Sequence, residues 1–144
     1  KDATFNLFGY YITSEVLPGR DQIFDFDFGG IWAVVLTNNL QKKEEYQTTI
    51  WTLDRATWRA RQNIMFDDEY ANRLFVNDEG TVIMWTYFSG ADNGFRFMEP
   101  KISSVVWEVS ESHQAREAVL DGRDIYYITP DETGHDALYV FKVP

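Results

Sequence analysis

The chain has 144 residues, 44% of them hydrophobic and 17% aromatic, with 13 basic against 23 acidic residues and a net charge of −10. That length can bury one core without disulfides or metal, so residues 1–144 are expected to form a single domain. The acidic surface repels phosphate backbones, no apolar run approaches the ~20 residues of a membrane-spanning helix, and cysteine is absent; nucleic acid, membrane insertion, disulfides and thiolate chemistry are thereby excluded.

The chain opens at Lys1, not Met, which suggests either a mature form freed of its leader, hence an extracytoplasmic protein, or an excised piece of a longer one. Gly9 precedes Tyr10-Tyr11-Ile12-Thr13, and after the loop Leu17 to Asp21 comes Ile23-Phe24-Asp25-Phe26-Asp27-Phe28. Strict alternation there predicts a half-buried strand with the phenylalanines on the core side and the aspartates in solvent. Gly29-Gly30 lead into the apolar run Ile31 to Leu36, expected to be a central strand covered on both faces. After a charged loop the run Thr48 to Asp54 answers it.

Asp78-Glu79-Gly80 introduces Thr81 to Tyr87, answered by Ser104 to Val109, and Asp121-Gly122 introduces Ile125 to Ile128, answered by Ala137 to Val143. Each cluster suits a hairpin turn in which glycine takes positive φ. Helical periodicity is confined to short stretches near Asp67 to Asn72 and Glu111 to Ala118. Trp32, Trp51, Trp85 and Trp107 occupy equivalent places in their runs and are expected in the core. The fold class is all-β, an antiparallel meander of about ten to twelve short strands closed into a barrel or folded as a sandwich. Propeller-like blades of an incomplete or multi-chain ring are the alternative.

Two family resemblances bear on that choice. Asp121 to Ile128 followed by Gly134 to Val140, and Asp78 to Trp85, resemble the repeats of Tol-type and other WD-like β-propellers, in which an Asp-Gly turn joins the innermost strands. Trp51-Thr52-Leu53-Asp54 is similar to the third strand of such a blade. Gly30-Ile31-Trp32, ahead of a long antiparallel run, resembles the Gly-x-Trp signature of lipocalin-type calycin barrels.

Chemistry has few candidates. Asp25 and Asp27 leave one strand face two residues apart, so their carboxylates could stand ~6–7 Å from each other as an acid and base pair; the plain alternative is a solvated strand face. Asp67-Asp68-Glu69 offers hard oxygens to calcium but lacks the spaced ligands of a binding loop. His113 and His135 stand alone, which leaves no metal site, and Gly29-Gly30 lacks the later glycine and lysine of a phosphate loop, so no cofactor is expected.

Trp58 falls outside the tryptophan register, in a segment where Arg55, Arg59 and Arg61 concentrate positive charge. Tryptophan and arginine dominate interface hot spots. Arg55, Trp58, Arg59 and Arg61 are therefore the candidate binding residues, and the expected function is non-enzymatic recognition of a protein partner or a small apolar ligand. The alternative is a carbohydrate-active hydrolase using Asp25 and Asp27, with tryptophans as sugar platforms.

Overall fold

The computed structural model describes residues 22–42, 45–89, 92–100, 106–111 and 117–144. These residues contain eleven strands in three antiparallel sheets and no α-helix. The first sheet comprises β1 (Gln22–Gly29), β2 (Trp32–Lys42), β3 (Glu45–Asp54) and β4 (Ala60–Asp67). The second comprises β5 (Tyr70–Val76), β6 (Ile83–Ser89), β7 (Asp92–Met98) and β8 (Val106–Glu111), and the third β9 (Glu117–Asp121), β10 (Asp124–Pro130) and β11 (Asp136–Lys142). Within each sheet the strands pair antiparallel and in sequence order.

The sheets stack face to face, and the first strand of each lies beside the first strand of the next. Between the first and second sheets Val34, Leu36 and Ile50 meet Leu74, Ile83 and Trp85. Between the second and third, Val82, Met84, Phe95 and Phe97 meet Ala118, Ile125 and Tyr127. Every residue of β6 from Ile83 to Tyr87 is consequently buried, odd positions against one neighbouring sheet and even positions against the other. Among the described residues no sheet closes into the expected barrel, and face-to-face packing of separate sheets fits both the expected sandwich and the alternative of propeller-like blades.

The phase of the repeat also differs from the sequence expectation. The sequence order sets Ile23 to Phe28 as the answer to Tyr10 to Thr13 across the loop Leu17 to Asp21, whereas among the described residues β1 is the first strand of its sheet and pairs directly with β2 through the two-residue turn Gly30-Ile31. The positive φ of Gly30 (53°) at the first turn position suits a tight hairpin, and Gly122 (56°) repeats the device between β9 and β10. The expected helical turn at Asp67 to Asn72 is the reversal from β4 into β5, and Glu117-Ala118 begin β9. The expected strand at Tyr10 to Thr13 and His113 lie outside the described residues.

Alternation in β1 holds with its faces exchanged. Phe24 and Phe26 are 40% and 47% exposed, whereas Asp25 and Asp27 point toward β5 and are half-buried. The tryptophans also divide. Trp85 is fully buried in the core between the first two sheets, and the partly buried Trp32 packs against that core. Trp51, 6% exposed, lies on the opposite face of the first sheet with Ala33, Val35 and Leu53, because adjacent strands in register put Val34 and Trp51 on opposite sides. The side chain of Trp107 lies outside the described set.

Candidate functional site

The Arg55 to Arg61 segment forms the reversal between β3 and β4 and the start of β4. Asp54 builds it: its Oδ1 accepts the amides of Ala56 (2.9 Å) and Thr57 (3.0 Å), and its carbonyl accepts the Trp58 amide at 2.7 Å. The Thr57 amide, then that of Ala56 and the Arg61 guanidinium, hold the Asp54 carboxyl below its ordinary range against a smaller opposing effect of burial. Trp58 takes a positive φ of 57°. That turns its ring edge-on to Phe28, 6.2 Å between centroids, where both close over the Trp51 cluster.

Arg55 ties this reversal to the neighbouring turn between β1 and β2. Its amide donates to the Ile31 carbonyl at 2.9 Å, its Nη1 to the Gly30 carbonyl at 3.1 Å, and its guanidinium lies 5.4 Å from the centre of the Phe28 ring. Between the two turns runs a cleft of about 460 Å³ lined by Gly30, Ile31, Asp54, Arg55 and Ala56. Ile31, expected in a central strand, is a turn residue 63% exposed at its rim. Arg61 pairs with Asp54 at 3.4 Å, and Arg59 is exposed. The structure thus gathers Arg55, Arg59 and Arg61 at one end of the first sheet and uses Trp58 as the prop beneath them.

Asp25 and Asp27 are not disposed for proton transfer to a substrate. Their Oδ2 atoms accept the amides of Leu74 and Val76 in β5, each at 2.8 Å, and their Oδ1 atoms accept the amides of Phe26 and Phe28. Asn38 completes this row by binding both amide and carbonyl of Ala71. Side chains of the first sheet thereby satisfy the β5 backbone groups that would otherwise be stranded between sheets. The hydrolase alternative loses its acid and base to this staple.

The acidic triplet also separates. Asp67 accepts from Gln47 at 2.7 Å, Asp68 supplies a turn residue with φ of 55°, and Glu69 is 2% exposed. Glu69 belongs to a cluster that its sequence position does not reveal. Arg96 bonds its Oε2, Trp85 Nε1 lies 3.4 Å from Oε1, and Arg96 is held 4.4 Å from the ring centres of both Phe66 and Tyr87. Glu108 joins from β8, accepting from Arg96 Nε at 3.1 Å and from the Tyr87 hydroxyl at 2.7 Å. Burial pushes the Glu69 carboxyl up to about 7, with Arg96 and Trp85 pulling the other way and Glu108 adding to the rise. Among the described residues no buried side-chain nitrogen or oxygen lacks a hydrogen-bond partner. His135 is likewise engaged, its Nδ1 2.7 Å from Thr133 Oγ1 in a turn organised by Asp131.

No known protein family and no curated protein sequence matches the chain. Among solved structures it is similar to the β-propeller domain of the Trilobed protease from Pyrococcus furiosus, with a TM-score of 0.62 and 10% identity. The fold is that of β-propeller blades. The match covers 85% of this chain and 39% of that one, so the three stacked sheets correspond to under half of the other domain's chain. The propeller resemblance of the Asp-Gly repeats is supported at the level of fold: Asp78 to Gly80 and Asp121-Gly122 each join the first two strands of a blade, and Trp51 to Asp54 lie in a third strand.

Proposed function

We propose that the chain is a non-catalytic binding domain that takes an acidic, partly apolar segment of a protein partner at the turn end of its first sheet. The observation that carries the reading is the placement of exposed Ile31 beside Arg55 across an open cleft, with Arg59 and Arg61 following on the same reversal. In a chain of net charge −10 this local cluster of cations favours an anionic partner, because complementary potential speeds encounter and fixes orientation. Ile31 supplies the apolar anchor that charge alone lacks, and Trp58, braced on Phe28, keeps the reversal rigid.

The test is fluorescence anisotropy with two labelled extended peptides of matched length, one alternating Glu with Leu and the other Lys with Leu. The acidic peptide should bind, weaken with added salt, and lose about tenfold in affinity to the Arg59→Glu/Arg61→Glu double variant. Equal binding by parent and variant, or preference for the lysine peptide, would refute the assignment.

A further inference from the structure

Granted the reading that the cleft takes an acidic segment, we infer that Asp54 is a built-in competitor for it. One oxygen of Asp54 holds Arg61 and surrenders that guanidinium to an acid of the partner. The cleft is itself lined by Asp54, and a fixed carboxylate in the wall of such a site repels its occupant. The different engagements of its two oxygens show how that repulsion is met.

Oδ1 accepts the amides of Ala56 and Thr57 at 2.9 and 3.0 Å and so fixes the reversal. Oδ2 faces Arg61 Nη2 at 3.4 Å. That separation exceeds the ~2.7–2.9 Å of a well-formed hydrogen bond between guanidinium and carboxylate, so Arg61 is loosely held. Its side chain is 57% exposed, against 21% for that of Asp54. Arg61 can therefore swing toward a carboxylate that offers both oxygens to its planar fork. Asp54 cannot offer both, because Oδ1 is committed to the turn.

Arg55 does not share this freedom. Its Nη1 is held by the Gly30 carbonyl and its amide by the Ile31 carbonyl, so it serves as a stationary charge in the cleft wall. Release of Arg61 also leaves Asp54 charged. The Thr57 amide is the largest influence holding its carboxyl below the ordinary range, the Ala56 amide adds to it, and Arg61 contributes less than either. The exchange thus transfers a cation from one acid to another without moving a proton. An incoming acid has to outcompete a resident one, and a neutral side chain does not draw Arg61 away.

The test uses the anisotropy assay with the labelled Glu-Leu peptide. Asp54→Asn keeps an Oδ1 acceptor for the two amides and removes the charge that holds Arg61, so it should bind the peptide about fivefold more tightly than the parent. That gain should disappear without Arg61: Asp54→Asn/Arg61→Gln should bind no better than Arg61→Gln alone. Asp54→Ser, whose hydroxyl can accept the same amides, makes the same comparison should the asparagine variant fail to fold. An equal gain with and without Arg61 would show that Asp54 acts by plain repulsion and would overturn the exchange. A variant that binds no tighter than the parent would overturn it too, and both results leave the binding reading standing. A parent chain that does not bind the acidic peptide refutes the binding reading and the exchange together.

Discussion

The Oδ2 atom of Asp27 accepts the amide of Val76 at 2.8 Å, joining the opening strand of the first sheet to that of the second. A carboxylate that alternation alone consigns to solvent thereby replaces a ladder partner that β5 lacks on that side. Asp25 does the same for Leu74. Removing either acceptor should strand an amide between sheets. Asp25→Ala and Asp27→Ala are expected to cost ~1–3 kcal/mol each, and the asparagine variants, which keep an acceptor oxygen, less. Urea melts check this, and midpoints equal to the parent for the alanine variants would show that water replaces the staple.

Glycine at position 80 is required for two reasons that can be separated. Gly80 and Gly122 both take positive φ, 67° and 56°. A Cβ on Gly80 would run into the Gly29 carbonyl, whereas one on Gly122 meets nothing within 4 Å. Gly122→Ala should therefore cost only the backbone strain of ~1–2 kcal/mol. Gly80→Ala should cost clearly more, since it also separates the two stacked turns held by the Gly30 amide on the Asp78 carbonyl at 2.8 Å. Equal losses would mean that the turns do not nest.

Trp85 is fully buried between the first two sheets, tilted against Phe66 with centroids 5.6 Å apart. Trp85→Ala should destabilise the fold by ~3–5 kcal/mol. The half-buried Trp58 should lose less on truncation. Chemical denaturation of the two variants side by side measures the difference, and an equal cost would contradict the assignment of Trp58 as a prop at the margin.

Glu69 should make stability depend on pH in an unusual direction for an acid. Its carboxyl keeps its proton up to about 7 when folded but only to about 4.5 when unfolded. Between those values the folded chain binds more protons, so this contribution is complete below about 4.5 and is lost as pH rises through about 7. Glu69→Gln, which cannot ionise, should gain on the parent across that window by on the order of 3 kcal/mol and hold steady beyond it. The observable is the difference in unfolding free energy between the two proteins at several pH values. A difference independent of pH would show that Arg96 keeps Glu69 ionised throughout.

How much of this was legible in the chain depends on the range of the interaction involved. The Arg55 to Arg61 cluster stands out in sequence because its members are neighbours there, and the structure keeps them at one end of a sheet. The cluster around Glu69 does not stand out, because its cation lies 27 residues away on β7 and Glu108 another strand further on. Sequence offers only an acidic triplet, of which one member turns inward. The phase of the repeat was equally hidden, since the first and last strands of a sheet carry the same alternation and only the stacking of β1 on β5 distinguishes them.

Local sequence determined that this chain is built of antiparallel strands and where many of them turn, because period-two alternation, β-branched and aromatic residues and glycines able to take positive φ act within a few residues of one another. Tertiary structure alone decided which face of each strand is inside. Phe24 and Phe26 lie outward and Asp25 and Asp27 inward because the neighbouring sheet brings unpaired amides within reach of a carboxylate. Each inward carboxylate accepts an amide that would otherwise lie unpaired between the sheets, and those amides belong to residues 49 positions away in the chain.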